Sequence, residues 1–268
     1  MSDPYRDAPR AGAVVPQVLI CSALDPSGGA GFLADARVVH QLGGRPVGVI
    51  TALTVQNTLG MRSCHELDRD VVGAELNTLL TDVEVRAVKL GILGSSDVIR
   101  ELGEHLSLTA APVVWDPIMA PTQGEVTFGP ELFKLALHEL GPHLTLITPN
   151  LGELGKLAGA DVANLTEAVE GARAFALVAN VAVLVKGGHL GTEESVDVLC
   201  HAGGVEYFRG PRLAQDDVHG TGCALSSAIA THLALGMPMV EACRAAKLFV
   251  AERIAQAVRP GRGAPAAM

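Results

Sequence analysis

Aromatic residues are scarce in this sequence and make up only 3% of its 268 residues. Because apolar residues still account for 49% of the chain, the core must be packed mainly with Ala, Val and Leu side chains. The sequence also lacks an apolar run of membrane-spanning length, and its first 16 residues lack the apolar segment of a signal peptide. We therefore expect a cytoplasmic protein without a membrane partner, in which residues 1–16 form a disordered tail.

Positive charge and paired cysteines are also in short supply. The chain has 20 Lys and Arg residues against 29 Asp and Glu residues, which gives a net charge of −9 and argues against a nucleic-acid partner. Its five cysteines are odd in number, widely separated and without a C-x-x-C pair, which indicates a reducing compartment. A small-molecule partner fits this composition best.

Short apolar runs alternate with helical patterns along the chain. The runs predict strands at 17–23, 46–54, 87–93, 112–115, 144–147 and 181–186, and a hairpin at 195–201 and 204–209. Helical patterns follow at 32–42, 70–80, 96–106, 166–179 and 237–258. This alternation predicts an α/β fold with a mostly parallel sheet.

Polar side chains follow the predicted strands, one after another. They are Asp25, Gln56, Asp116, Asn150 and Lys186. Right-handed crossovers bring the carboxyl ends of parallel strands to one edge of a sheet, which is where ligands bind in open α/β proteins. We therefore expect these five side chains to converge on one site.

The stretch from 218 to 236 starts with two glycines and a cysteine and continues as an apolar helix. Gly220 and Gly222 allow a sharp turn in which the first N–H groups of the helix point at one spot, and such a spot binds anions. The helix terminus should lower the pKa of the Cys223 thiol and make it a base or nucleophile. A glycine-capped loop with a buried core cysteine explains the same pattern equally well.

Other polar residues also allow two interpretations. Asp35, one turn into a helix, suits either substrate binding or a solvated carboxylate at a helix start, and Gln56 suits either a heterocycle edge or an ordinary turn. Asn150 and Glu153 suit either a hydrated magnesium ion or a reciprocal capping box. Lys89, inside a predicted strand, requires a partner or a ligand.

Six motifs together resemble the hydroxymethylpyrimidine/phosphomethylpyrimidine kinases of thiamine biosynthesis, which are ribokinase-like kinases. The motifs lie at 25–35, 50–58, 116–119, 148–153, 186–189 and 219–223, and the resemblance covers about residues 17–255. It implies a single ribokinase-like α/β domain over 17–258. A central, mostly parallel sheet of eight or more strands would be flanked by helices on both faces, followed by a short tail at 259–268.

The resemblance also implies a role for each matched residue. Cys223 would be the general base, and the N–H groups of Gly220, Thr221 and Gly222 would stabilise the transferring phosphoryl group. Three sets of ligand contacts follow: Asp35, Gln56 and Ala23 for the pyrimidine; Lys186, Gly188, Asn150 and Thr221 for ATP; and Asp116 and Glu153, with Asn150, for Mg²⁺. Lys89 would contribute electrostatically.

The sequence departs from this family at several points. The run Ser22-Ala23-Leu24 crowds the substrate side, the loop at 121–124 and Asp216-Asp217 replace the usual residues, and the tail is short. These changes put the second phosphorylation, on the monophosphate, in question. A pyridoxal kinase, or a non-catalytic pyrimidine-binding regulatory protein, are the alternatives. We expect a homo-oligomer, most simply a dimer.

Overall fold

The computed structural model describes residues 15–119, 129–188, 194–213 and 218–267. Several predicted features lie outside these residues. They are most of the N-terminal tail, the altered loop at 121–124, His189 and the pair Asp216-Asp217.

One sheet of nine strands organises the described residues, in the order β3-β2-β1-β4-β5-β6-β7-β8-β9. The strands are β1 (Gln17–Leu24), β2 (Arg45–Asn57), β3 (Gly60–Glu66), β4 (Val85–Leu90), β5 (Val113–Trp115), β6 (Leu146–Ile147), β7 (Ala182–Val185), β8 (Glu194–His201) and β9 (Gly204–Pro211). Six neighbouring strands pair in parallel, namely β2, β1, β4, β5, β6 and β7, whereas β3, β8 and β9 pair antiparallel. The predicted α/β fold with a mostly parallel sheet is confirmed.

In the part of the chain that the structure describes, eight α-helices connect and cover the strands. They are α1 (Gly31–Gln41), α2 (Arg69–Leu80), α3 (Ser96–Leu106), α4 (Pro130–Leu140), α5 (Leu151–Ala158), α6 (Leu165–Ala179), α7 (Thr221–Ala234) and α8 (Met239–Ala255). Local capping explains several of their starts: Ser95 accepts a hydrogen bond from the Val98 N–H, and Asn164 accepts one from the Glu167 N–H.

Each face of the sheet has its own hydrophobic core. Along β1, Leu19 and Cys21 point into one core, whereas Val18 and Ile20 point into the other, as the alternation of a strand requires. The first core includes residues of α2 to α6, and Trp115 stacks there on Phe133 with 5.9 Å between the ring centroids. The second core includes residues of α1, α7 and α8. Helices therefore cover both faces, as expected.

The hairpin of β2 and β3 differs from the prediction. β2 extends through Asn57, so Gln56 lies in a strand and not in the turn that follows it, and β3 was not predicted at all. Most side chains of β3 are partly or fully exposed, and Met61 is its buried residue. A strand at the end of a sheet buries few side chains, so its apolar pattern is weak.

The residues after α8 pack against the domain. Val258 and Ala266 exchange two backbone hydrogen bonds, and Ala266 is only 2% exposed. The Ala267 N–H donates to the carbonyl oxygen of His219 at 3.1 Å. The segment that the sequence presents as a short tail is therefore in contact with the start of α7.

Candidate active site

A cavity of about 930 Å³ lies at the edge of the sheet where the parallel strands end. It receives almost all of the predicted site residues: Ala23, Gln56, Asp116, Asn150, Glu153, Lys186, Gly188, Gly220, Thr221, Gly222 and Cys223. Asp35 is the exception and does not line the cavity. The expected convergence of strand ends on one site is therefore confirmed.

The start of α7 lines this cavity with consecutive residues from 218 to 223. Gly220 has φ 83°, and a Cβ at this position would lie 1.9 Å from the carbonyl oxygen of Gly29, so the turn needs glycine for two reasons. The first hydrogen bond within α7 runs from the Ala224 N–H to the Gly220 carbonyl oxygen. The N–H groups of residues 221–223 therefore have no acceptor within the helix and can face an anion.

Cys223 lies at this helix start but does not have the lowered pKa that we predicted. The side chain is 5% exposed, and burial raises the pKa of its thiol to about 12, although the charge of Lys89 acts in the opposite direction. The prediction from the helix terminus was wrong because it left out desolvation, which disfavours the thiolate more than the nearby positive charge favours it. Without bound substrate, Cys223 is therefore a neutral thiol at neutral pH.

Lys89 and Asp35 form an ion pair behind the cavity wall. Both side chains are 0% exposed, and Lys89 Nζ lies 2.5 Å from Asp35 Oδ2. Ser227 donates a hydrogen bond to Asp35 Oδ1 at 2.8 Å, and Lys89 Nζ lies 3.5 Å from the hydroxyl of Ser22, which lines the cavity. Burial alone would lower the pKa of Lys89, but the Asp35 carboxylate reverses this and raises it. The interpretation of Asp35 as a solvated carboxylate was wrong.

Asp116, Glu153 and Lys186 form a second charged cluster, which does line the cavity. Lys186 Nζ lies 2.6 Å from Asp116 Oδ1 and 3.7 Å from Glu153 Oε2. Burial and the neighbouring Asp116 charge raise the pKa of Glu153, although Lys186 acts in the opposite direction. Two carboxylates thus share one ammonium group, which leaves room for further positive charge.

This cluster fits a hydrated magnesium ion. Asp116 Oδ2 is buried and has no hydrogen-bond partner among the described residues, although its sister oxygen contacts Lys186. Within the same part of the chain, no group of three or more His, Cys, Asp or Glu residues could enclose a metal. Magnesium is usually held by one or two carboxylates and completes its coordination with water and phosphate oxygens. Asp116 and Glu153 are suited to that arrangement.

Asn150 and Glu153 also cap α5, as the alternative interpretation proposed. The Asn150 amide oxygen accepts a hydrogen bond from the Glu153 N–H at 2.8 Å, and Glu153 Oε2 accepts one from the Asn150 N–H at 2.7 Å. This is a complete capping box. Because the Asn150 amide oxygen is already engaged, it is a poorer candidate for the magnesium shell than Asp116 or Glu153.

His219 is a residue of the cavity to which the sequence assigned no role beyond its motif. Its Nε2 atom lies 3.1 Å from Asp25 Oδ2 and 3.1 Å from the Gln56 amide nitrogen. Burial opposes ionisation of Asp25, but hydrogen bonds from His219 and Ser27 lower its pKa below the usual range. The His219 ring thus connects β2 to the turn after β1. Its contact with Gln56 joins residues that are 163 positions apart in the sequence.

The end of the cavity near β8, β9 and α8 is rich in basic groups. Arg209, Arg212 and Lys247 line it, and Lys156 of α5 lines the same cavity. Asp197 accepts a hydrogen bond from the Gly187 N–H at 3.0 Å and one from Lys247 Nζ at 2.8 Å, so it fixes the turn that follows Lys186. No motif in the sequence marks Asp197 or Lys247. Because phosphates are anionic, this end suits a nucleotide.

Known protein families match most of the chain. The family described as Phosphomethylpyrimidine kinase matches residues 25–267. The chain is 35% identical over 244 residues to the hydroxymethylpyrimidine/phosphomethylpyrimidine kinase of Rhizobium meliloti, covering 89% of this chain and 92% of that protein. It is 38% identical over 253 residues to the thiamine biosynthesis multifunctional protein ThiED of Corynebacterium efficiens, covering 92% of this chain but only 34% of that longer protein.

A solved structure shows the same fold. The pyridoxal kinase of Bacillus subtilis, determined as an ADP complex, superposes with a TM-score of 0.86 at 27% sequence identity, covering 94% of this chain and 97% of that one.

No helix in the described parts of this chain is both long and apolar enough to cross a membrane.

Proposed function

Since the chain belongs to the phosphomethylpyrimidine kinase family, we propose that it transfers the γ-phosphoryl group of ATP to the hydroxymethyl oxygen of 4-amino-5-hydroxymethyl-2-methylpyrimidine. The observation that carries this proposal is the start of α7, whose N–H groups at 221–223 have no acceptor within the helix and line the same cavity as Gln56 and Lys186. Phosphoryl transfer depends mostly on positioning and charge stabilisation, and this arrangement supplies both.

The pyrimidine would bind at the end of the cavity near β1 and β2. Gln56 and His219 provide hydrogen-bonding groups there, Met61 and Ile92 provide apolar surface, and Ala23 limits the available width. Asp35, which the resemblance assigns to the substrate, would influence this end through Lys89 and Ser22, because its own carboxylate is fully buried.

Cys223 would accept the proton of the substrate hydroxyl. It rests as a thiol, so substrate binding must favour the thiolate form, which the charge of Lys89 stabilises. The N–H groups of Thr221, Gly222 and Cys223 would stabilise the negative charge that develops on the transferring phosphoryl group. The resting hydrogen bond from the Gly31 N–H also favours the thiolate and helps to orient the sulfur.

ATP would occupy the basic end, with Asp116 and Glu153 holding Mg²⁺ near its phosphates. Bound Mg²⁺ would neutralise part of the charge on the triphosphate. Lys186 lies between the two carboxylates and can contact a phosphate oxygen from the same position. At Gly188 an added Cβ would meet no atom of the described residues within 4 Å, and this residue would contact the nucleotide through its backbone. Asn150 and Thr221 complete the proposed nucleotide contacts.

The direct test is a substrate panel in which ADP release is coupled to a spectroscopic signal. We expect ADP release that requires both hydroxymethylpyrimidine and Mg²⁺. An enzyme that binds the pyrimidine but releases no ADP would support the alternative of a non-catalytic binding protein. Assaying the pyrimidine monophosphate in parallel determines whether the same site carries out the second phosphorylation.

A pyridoxal kinase is the second candidate, because the pyridoxal kinase of Bacillus subtilis shares the fold over 94% of this chain. The higher identity to the hydroxymethylpyrimidine/phosphomethylpyrimidine kinase of Rhizobium meliloti favours the pyrimidine. Both substrates carry a hydroxymethyl group on a heterocycle, so kcat/KM must be compared for the two in one preparation. We expect the pyrimidine to have the larger value.

The remaining properties belong to the same proposal. We propose a dimer that acts in the cytoplasm, without nucleic-acid or membrane partners. The net charge of −9 supports the absence of a nucleic-acid partner, and five cysteines that are all free support a reducing compartment. Light scattering at assay concentration tests the dimer, and a mass equal to one chain would exclude it.

A further inference from the structure

Residues 261–267, which we call the C-terminal strap, are bonded to the turn of the β2–β3 hairpin. The Gly263 N–H donates to the hydroxyl of Thr58 at 3.2 Å, and the Ala264 N–H donates to the Thr58 carbonyl oxygen at 3.1 Å. Thr58 lies two residues after Gln56. The strap therefore holds the segment that carries a predicted pyrimidine contact.

The same strap holds the backbone of His219 on both sides. The His219 N–H donates to the Pro265 carbonyl oxygen at 2.8 Å, and the His219 carbonyl oxygen accepts from the Ala267 N–H at 3.1 Å. These two bonds form a short parallel bridge immediately before the turn at Gly220. The strap thus contacts two elements whose side chains, Gln56 and His219, touch each other and line the same cavity.

The contact between strap and hairpin is too close for any side chain at its centre. A Cβ on Gly263 would lie 1.6 Å from the Thr58 carbonyl oxygen and 2.8 Å from the Leu59 nitrogen. Ala266 and Ala267, at the other end of the strap, are only 2% and 5% exposed. Such close and buried contacts are typical of a segment that is part of the packed domain and not of a loose terminus.

We propose that the C-terminal strap is a positioning element for the pyrimidine end of the cavity and that it acts by fixing His219 and Gln56 relative to each other. This inference rests on the proposed function. The two side chains meet at 3.1 Å, and the backbone next to each one is bonded to the strap. The nucleotide end, around Lys247 and Asp197, makes no such contact with the strap in the described bonds.

The test compares two Gly→Ala variants that differ only in their surroundings. Gly263→Ala forces the strap away from Thr58, whereas Gly141→Ala, at the end of α4, adds a methyl group that meets no atom within 4 Å. Displacing a binding group by about 1 Å weakens productive binding by one to two orders of magnitude. We expect Gly263→Ala to raise the Kd and KM for hydroxymethylpyrimidine by about tenfold and to leave the Kd for an ATP analogue unchanged. Gly141→Ala should leave all three values unchanged.

A second measurement separates positioning from general loosening. If the strap acts through Gln56, Gly263→Ala should add little to the loss of pyrimidine affinity caused by Gln56→Ala, because interacting sites are not additive. Fully additive effects, an equal loss of ATP affinity, or an unchanged pyrimidine Kd in Gly263→Ala would each overturn the proposal.

Hydrogen exchange tests the strap independently of the substrate. Gly263→Ala should speed exchange of the His219 amide, which the strap protects, and Gly141→Ala should not. Unchanged exchange at His219 would overturn the structural part of the inference. If the wild-type protein neither binds nor phosphorylates the pyrimidine, the proposed function fails, whereas accelerated exchange would still show that the strap anchors His219.

Discussion

Cys223 shows how burial and local electrostatics compete at a single residue. The helix start and Lys89 favour a thiolate, but the loss of water around the sulfur has the larger effect. Because a protonated thiol cannot accept a proton, Cys223 can act as the base only as the thiolate, so its own proton must first pass to solvent while the charge of Lys89 stabilises the sulfur anion.

Replacing Cys223 by Ala should lower kcat by about a hundredfold, which is the usual contribution of a positioned base. ATP binding should persist, because the N–H groups at the start of α7 belong to the backbone. Turnover and the Kd for an ATP analogue, measured on the same preparation, check both parts. Unchanged turnover would remove Cys223 from the mechanism.

We expect single substitutions in the Lys89–Asp35 pair to destabilise the protein, because each one leaves the other charge buried without a partner. Both groups are fully buried, so Lys89→Met or Asp35→Leu alone should each destabilise the protein by about 3–5 kcal/mol. The double variant should lose much less than the sum of the two. Urea unfolding of the wild-type protein, the two single variants and the double variant gives the coupling free energy between the two side chains. Additive losses of stability would show that the two charges do not depend on each other.

At the level of elements, α5 combines a structural and a catalytic role in one residue. Glu153 closes the capping box with one carboxylate oxygen and lies near Lys186 and the candidate magnesium position. The two roles can be separated because a Gln side chain can complete a capping box, whereas it carries no charge.

Glu153→Gln should therefore preserve stability but lower activity by about 10- to 100-fold at limiting Mg²⁺, the range seen when residues around a metal are changed. Asn150→Ala should instead lower the free energy of unfolding by about 1 kcal/mol, and any loss of activity should appear in the KM for ATP and not in the Mg²⁺ requirement. Mg²⁺ titrations of activity and urea unfolding measure the two effects. A Glu153→Gln variant with normal activity at low Mg²⁺ would assign Glu153 to capping alone.

The elements that the sequence predicts well are those with a strong local pattern. The apolar run of β1 and the cap of α3 are examples, since buried strands and serine caps are recognisable over a few residues. β3 was missed because only one of its side chains is buried. The sequence predicts only a short tail at 259–268 and not its packing, because its partners, Thr58 and His219, are distant in sequence and are bonded mostly through backbone atoms, which no residue pattern encodes.

For the whole molecule, the parallel topology made the position of the site predictable but not its pairings. Strand ends at Asp25, Gln56, Asp116 and Lys186 had to converge, because parallel strands end at the same edge. That Asp35 would pair with Lys89, and Asp25 with His219, depends on contacts across 54 and 194 residues of sequence. The burial of Cys223 in the folded chain likewise reverses its predicted pKa shift.

The cores on both faces of the sheet contain thiols. We therefore expect the free energy of unfolding to decrease as the pH rises into the alkaline range. Burial raises the pKa of Cys21, Cys223 and Cys243 from 9.0 to about 12. Above pH 9 the unfolded chain loses thiol protons that the folded chain retains, so stability that is fully present below pH 9 is lost progressively towards pH 12.

Urea midpoints measured at pH 8, 9.5 and 10.5 should therefore decrease with each step. Cys243→Ala, which leaves the cavity residues in place, should be less stable at pH 8 but show a smaller decrease with pH. If the variant and the wild-type protein lose stability in parallel, the Cys243 thiol does not contribute to the alkaline transition.

The path of the C-terminal strap also determines where this protein tolerates attachment. Pro16, at the other end of the described chain, bonds to Arg45 at the start of β2, on the side of the sheet opposite the cavity. An affinity handle placed before Pro16 would therefore leave the kinetics undisturbed. A fluorophore joined after Ala267 would be held beside His219, and its emission would report occupancy of the pocket without any chemical turnover.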